Sequence, residues 1–234
     1  MDWARICAVV IPCLDEAATI GPLVAAARRQ VPTVIVIDDG SMDGTGRLAI
    51  EAGAEVVSQG LTGGKGAALR AGLQLAHARG FEWALAVDGD GQHAPEDFAT
   101  LFDGAERTQA SLVVGNRMDN VSAMPGTRRV TNRLMSAILS RLTRHDLPDT
   151  QCGLRLIRLE HWAALSFNTA HFEFDSELLI EFLAQGGAVE FVPVRAIYHR
   201  RRSRIRPIKD AWRWLRWLWR TRRKFAQIRR LHPA

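Results

Sequence analysis

The alternation of apolar and amphipathic segments constrains this chain most. Five short runs begin as almost unbroken apolar stretches: "ICAVVI" (6–11), "TVIVIDDGS" (33–41), "AEVVSQ" (54–59), "WALAVDGDG" (83–91) and "SLVVGNR" (111–117). Segments of helical spacing separate them: "DEAATIGPLVAAARRQ", "DGTGRLAIEAG", "GKGAALRAGLQLAHARG" and "PEDFATLFDGAER". Continuous apolar strands alternating with helices predict an α/β fold, a Rossmann-like and mostly parallel sheet covered by helices on both faces. Pro12 is expected to stop the first strand and Asp15 to cap the first helix. The proline of "PEDF" suits a first helical turn. The second half reads as a helix at 127–144, a loop entering a strand at 149–157, a helix at 174–184 before Gly186, and a strand near 188–199. It continues the same domain, so residues 1–205 form one unit and 206–234 a tail.

Ligands of such sheets sit beyond the carboxyl ends of the strands. Three polar clusters fall there: "DDGS", "DGDGQ" and "GNR". Asp88 and Asp90 are two residues apart, which on a strand puts both on one face. Their mutual repulsion would be relieved by a cation between them. Hard divalent ions take carboxylates together with substrate phosphate oxygens, and Gln92 adds a neutral oxygen. The plainer reading is a polar turn whose aspartates cap nearby amides. Asp38 and Asp39 close another strand, and "GGKG" sets Lys65 at a helix start suited to an anion, or else as a solvated turn charge. The spacing is not that of a P-loop, and no GxGxxG follows the first strand.

Other residues carry weaker signals. His93 supports a ligand or caps the turn more readily than it binds a metal itself. Cys152 has no evident base and reads as a buried loop cysteine. Asp175 and Glu177 are either first-turn helix charges or a base for a hydroxyl acceptor. Three scattered cysteines form neither a disulfide framework nor a zinc site, which points to a reducing, cytosolic compartment. No signal-peptide pattern opens the chain, and no uncharged run is long enough to span a bilayer.

Five ordered motifs, "VVIPCLDEAATI", "VIDDGSMDGT", "GGKGAALRAG", "VDGDGQHAPEDF" and "VVGNR", resemble family 2 glycosyltransferases of the GT-A fold. Within that family the chain is similar to polyprenyl-phosphate (dolichyl-phosphate) mannosyl- and glucosyltransferases, over roughly residues 6–205. "DTQCGLRL" and "FEFDSELL" resemble the glucosyl side. The resemblance implies a metal-dependent, inverting transfer of a hexose from UDP-glucose or GDP-mannose to a polyprenyl phosphate. It implies that Pro12, Leu14, Glu16, Asp38, Asp39, Lys65 and Asp88 meet the nucleotide sugar. Asp88, Asp90 and Gln92 would hold Mg2+ or Mn2+. Arg117, Arg128, Asn132 and the run of Arg200, Arg201, Arg202 and Arg204 would face the acceptor phosphate. Asp90, Arg117, Arg128 and Asp175 are the catalytic candidates. The chain departs from the family in carrying Asp15 where Asn is usual and in lacking the glycine of the basic segment. A lipid phosphate is already an anion and needs no general base; a sugar hydroxyl would need one. The Gln-x-x-Arg-Trp motif of processive polysaccharide synthases is missing.

The charge is unevenly spread. From His199 onward fourteen Lys or Arg meet one acid, Asp210, while the first 198 residues hold 17 bases and 24 acids. Such a tail seeks an anionic partner. On a helical projection Lys209, Arg213, Arg216, Arg220 and Arg223 form a stripe. Ile208, Ala211, Trp212, Trp214, Leu215, Trp217, Leu218 and Trp219 fill the remaining arc, and Arg222 is the exception. That pattern predicts an amphipathic helix on a membrane interface, placing the enzyme peripherally on the cytoplasmic face. A core helix and a homo-oligomer interface stay open. A nucleic-acid-binding protein using the tail is the alternative of another class; the intact carboxylates argue against it, and no nucleic-acid partner is expected.

Overall fold

The computed structural model describes residues 1–60, 62–119, 124–198 and 207–231, with the backbone alone for residues 207 and 208. The elements run α1 (Trp3–Ile6), β1 (Cys7–Cys13), α2 (Ile20–Arg28), β2 (Val34–Asp38), α3 (Thr45–Glu51), β3 (Glu55–Ser58), α4 (Lys65–Ala78) and β4 (Trp83–Ala86). A 3-10 turn (Pro95–Asp97) leads into α5 (Phe98–Thr108) and β5 (Leu112–Asn116). Then come α6 (Gly126–Thr143), β6 (Arg155–Arg158), α7 (Leu159–Ala163), α8 (Phe174–Ala184), β7 (Val189–Pro193) and α9 (Pro207–Leu231).

The sheet has the order β3-β2-β1-β4-β6-β5-β7. All neighbouring pairs are parallel except those of β6, which runs antiparallel to both β4 and β5. The mostly parallel sheet expected from the apolar runs is therefore present. Strands β1, β2, β4 and β5 are buried at every residue. They need helices on both faces because each face is apolar. The insertion of β6 between β4 and β5 was not evident in "GLRLI".

Two local expectations are corrected. Pro12 does not stop β1, which continues to Cys13 and pairs with β2 through Pro12↔Ile37 and Cys13↔Asp38. In β1 the odd residues bond toward β2: Val9 N–H donates to Thr33 and Cys13 C=O accepts from Asp39. The even residues face β4, whose pairing ends at Val10↔Ala86. Pro12 therefore lacks its N–H where no ladder bond is required. Asp15 does not cap α2. It lies at φ 44°, takes the Met42 amide on Oδ1, and sits upstream of a helix that begins at Ile20.

The tail helix packs onto the body. Trp214 and Trp217, only 4% and 5% exposed, join Thr221, Phe225 and Ile228 on the buried face. Lys224 pairs with Glu181 of α8, Gln227 donates to Ala184 C=O, and Arg229 donates to Leu142 C=O at the end of α6. The tryptophan-rich arc therefore does not face outward as a whole. Trp212 (68% exposed), Leu215 (50%) and Trp219 (66%) remain outside, beside the exposed Arg216, Arg220, Arg222 and Arg223.

Candidate active site

The site is built around the turn after β4. Val87 N–H still bonds Val10 C=O at 3.0 Å; beyond it the backbone bends through Gly89 and Gly91. A Cβ on Gly89 would come within 3.0 Å of Cys13 Cβ and 3.3 Å of Pro12 C=O, so the close approach of β1 and this turn requires glycine. Thr19 Oγ1 donates to Gly89 C=O at 2.8 Å and ties the turn to the start of α2. Asp90 accepts the Gln92 amide at 3.0 Å and the Gln92 side-chain N–H at 2.6 Å.

Lys65, the first residue of α4, links three elements. Its Nζ is 2.8 Å from Asp88 Oδ1 and 2.8 Å from Asp175 Oδ2 at the start of α8. Burial alone would push its ammonium down, but the Asp175 and Asp88 charges prevail and raise it. Burial likewise pushes the Asp88 carboxyl up, yet the Lys65 ammonium and the neighbouring His93 together outweigh this and hold it well below the usual carboxylate range. Asp90 is pushed up by burial and then by the Asp88 charge. The pair therefore presents one firmly ionised carboxylate beside one whose charge is disfavoured, the arrangement a cation relieves.

The other cluster supports Lys65. Asp39 accepts the Gly63 and Gly64 amides at 2.7 and 2.9 Å and fixes the glycine turn. Gly64 has φ +100°, and a Cβ there would meet His171 Nδ1 at 2.2 Å and Ala170 C=O at 2.6 Å. Asp38 Oδ1 accepts the Ser41 amide at 2.9 Å. Both aspartates thus hold turns at the same end of the sheet as Asp88. Pro12 and Leu14 lie at that end, and Glu16 donates its amide to Thr45 Oγ1 at 2.7 Å.

On the far side Arg128 of α6 donates to Gln92 Oε1 at 2.9 Å, and its guanidinium lies 5.9 Å from the Tyr198 ring centre. The Gln92 oxygen expected at the metal is thus turned toward Arg128. Asn132 follows Arg128 by four residues on α6, on the same helical face. Arg200, Arg201, Arg202 and Arg204 lie outside the described residues.

Arg117 is buried, and one side of its fork is closed on Asp149, with Nε 2.7 Å from Oδ2 and Nη2 2.9 Å from Oδ1. A guanidinium bound in this way forms a bidentate ion pair that fixes its position in the fold. Glu177 is corrected as a candidate base: its carboxylate accepts the Asn168 and Thr169 amides and the Thr169 hydroxyl. Asp175 differs, because Oδ2 meets Lys65 while the buried Oδ1 has no hydrogen-bond partner among the described residues. His93 is buried, with Nε2 3.7 Å from Asp88 Oδ2. The Cys152 thiol is pushed up to about 12 by burial, so it is no nucleophile.

Sequence reasoning placed a loop at 149–157 but missed that it organises these groups. Arg155 is wholly buried and donates to Thr150, Cys152 and Asp175 carbonyls at 2.9, 2.8 and 2.5 Å. Gly153 lies against Asp88, and a Cβ there would stand 2.2 Å from Asp88 Oδ2. "DTQCG" signals this loop only through its aspartate and glycine. Arg155 reads as an ordinary strand residue.

Among the described residues no three His, Cys, Asp or Glu side chains gather to hold a metal. Two carboxylates at a glycine turn still fit a magnesium-like ion, which binds one or two protein carboxylates and fills its shell with phosphate oxygens and water.

Comparison with known proteins agrees with this geometry. The model of glycosyl transferase family 2 matches residues 8–165. The polyprenol monophosphomannose synthase of Mycolicibacterium smegmatis is 29% identical over 200 residues, 80% of this chain and 75% of that one. Glycosyltransferase AglJ of Haloferax volcanii is 30% identical over 79% of this chain, which spans 61% of that protein. Glucosyl-3-phosphoglycerate synthase of Mycobacterium tuberculosis, solved with Mn2+ and UDP-glucose, superposes with a TM-score of 0.70 at 26% identity, covering 91% of this chain and 76% of that one. A mostly parallel sheet bearing its acidic turn beyond β4 is the architecture of a GT-A, nucleotide-sugar-dependent glycosyltransferase. The chain belongs to glycosyl transferase family 2.

Proposed function

We propose that the chain transfers a hexose, with inversion, from UDP-glucose or GDP-mannose to a polyprenyl phosphate at a membrane surface. The carrying observation is the cluster of Lys65, Asp88 and Asp175, with Asp90 beside it, at the end of β4. Asp88 and Asp90 hold Mg2+ or Mn2+, with Gln92 joining if its amide turns. Bound there, the ion neutralises charge on the leaving diphosphate. Lys65 contributes a second positive charge at the same place, where fixed charges in a partly dry site act strongly. Pro12, Leu14, Glu16, Asp38 and Asp39 border the nucleotide. Arg128 and Asn132 orient the acceptor anion. The phosphate oxygen forms the new bond to the anomeric carbon as the bond to the diphosphate breaks, so no proton need be removed.

Among the described residues no helix is long and apolar enough to cross a membrane. The outer face of α9 supports peripheral attachment from the cytoplasmic side. Trp212, Leu215 and Trp219 suit the interface, and the neighbouring arginines suit anionic headgroups. Helix α9 (Pro207–Leu231) then serves both as a packed helix and as the attachment face.

A second reading takes a small hydroxyl acceptor. Asp175 Oδ1, which has no hydrogen-bond partner among the described residues, favours it, because a carboxylate oxygen there can take the hydroxyl proton. Labelled UDP-glucose and GDP-mannose, each incubated with undecaprenyl phosphate in mixed vesicles, separate the two. A metal-dependent, organic-extractable product supports the lipid reading; a water-soluble glycoside made from an added sugar acceptor, with no lipid product, supports the second.

A further inference from the structure

The tail helix reaches into the site through one side chain. Trp214 Nε1 donates to Ser176 Oγ at 3.0 Å, and Gln151 Nε2 donates to the same oxygen at 2.9 Å. Both partners of Ser176 matter. Ser176 follows Asp175, which grips Lys65. Gln151 belongs to the loop whose Gly153 abuts the Asp88 carboxylate. Arg155 closes the circuit by donating to the carbonyls of Thr150, Cys152 and Asp175. The Thr150 amide is held in turn by Ser136 of α6 at 3.0 Å.

From this geometry we infer that Trp214 is a positioning residue for the transfer reaction: through Ser176 it sets Asp175 and the loop against Asp88. The inference rests on the transferase reading and goes beyond attachment. Ser176 is fully buried, so water cannot replace either donor that its two lone pairs meet inside the protein. When the indole donor is lost, one is left unmet, and the first turn of α8 and the 150–153 loop can move apart. Displacements of this size beside reacting groups are costly in rate.

Trp217 provides a matched control. It lies three residues along the same buried face, and its Nε1 has no partner among the described residues. Replacing either tryptophan by phenylalanine removes similar volume, but only Trp214→Phe removes a hydrogen bond. The full chain is assayed with a short-chain polyprenyl phosphate dispersed in dilute detergent, where membrane attachment has no part. Trp214→Phe should lower kcat by about 5- to 20-fold and leave the donor KM within about two-fold, a fraction of the ~100-fold that a 1 Å misplacement can cost. Trp217→Phe should stay near wild type. Ser176→Ala should lower kcat at least as far, and adding Trp214→Phe to it should cost nothing more, since both act through one oxygen. Equal kcat values for the two Trp variants would overturn the inference.

Amide hydrogen exchange supplies a readout independent of activity. Exchange at residues 150–153 and 174–177 should speed up in Trp214→Phe and not in Trp217→Phe. Equal exchange would likewise overturn it. Should Trp214→Phe fail to fold, Ser176→Ala carries the same kcat and exchange tests. A wild-type protein with no transfer activity would instead refute the transferase reading, leaving the exchange comparison to decide the link.

Discussion

Lys65 Nζ stands 2.8 Å from Asp88 Oδ1, although the two residues come from different βα units. The ammonium at the start of α4 and the carboxylate beyond β4 meet because α4 packs across β1 and its neighbours. Asp175 takes the same ammonium from α8 at 2.8 Å. One cation thus fastens three separate segments at the place proposed here for the donor diphosphate.

Lys65→Met should therefore harm both chemistry and fold. Removing one preorganised positive group from a developing charge lowers kcat by about 10²- to 10³-fold. The change also leaves Asp175 buried without its partner, a loss of about 3–5 kcal/mol when one member of a buried pair is deleted. Steady-state kinetics and a denaturant titration measure the two effects separately.

Gly153→Ala tests the contact behind Asp88. The φ of Gly153 is not in the left-handed region, so the cost is steric: the new Cβ would lie 2.2 Å from the carboxylate oxygen. The carboxylate must swing away. Mn2+ affinity, followed by calorimetry in the presence of the bound nucleoside diphosphate, should fall at least tenfold. A fall of about 1–3 kcal/mol in stability accompanies overpacking of this kind.

Arg117 and Asp149 should behave as a structural pair. Either Arg117→Ala or Asp149→Ala leaves a buried charge alone and should destabilise by about 3–5 kcal/mol. The double variant should cost much less than the sum of the two, as a double-mutant cycle in urea will report. An acceptor-phosphate role would instead raise the acceptor KM in Arg117→Ala and leave Asp149→Ala unaffected.

Glu181 carries a pH dependence. Burial pushes its carboxyl above the usual glutamate range, and Lys224 offsets only part of this. A raised folded-state value means the folded protein binds the proton more tightly than the unfolded chain. Stability from this group is full below about pH 4.3, the ordinary glutamate value, and falls as pH rises through the higher folded value. Glu181→Gln should remove that decline, giving a flatter stability profile between weakly acidic and neutral pH in urea melts. Lys224 can turn to solvent, so the variant should lose little at neutrality.

Much of this architecture is legible in the sequence, for a physical reason. Apolar runs such as "VIVID" have one stable use, as strands covered on both faces, and glycine-flanked carboxylates at their ends mark the ligand edge. Asp88, Asp90 and Lys65 are visible on that basis. Arg155 and Trp214 are not. A buried arginine among "LRLIR" resembles its half-buried neighbour Arg158 until the carbonyls it serves are known. A helical projection of the tail shows an apolar arc but not that half of it meets α8 and α6. Pro12 misleads because a missing N–H matters only on the side where a ladder continues, and that depends on where β4 ends. The ion pair of Arg117 is hidden from the sequence in a similar way, since its partner Asp149 lies 32 residues away.

The central claim is that the carboxylate turn after β4 holds a divalent ion against a nucleoside diphosphate. The most direct measurement is a thermal-shift titration of the wild type and of Asp88→Asn/Asp90→Asn with UDP and with GDP, each with and without Mn2+. The account predicts that one nucleotide raises the wild-type melting temperature only when Mn2+ is present, through binding to the folded state, and that the double variant shows no Mn2+-dependent rise. An equal rise in the double variant would contradict it, as would a wild type indifferent to Mn2+.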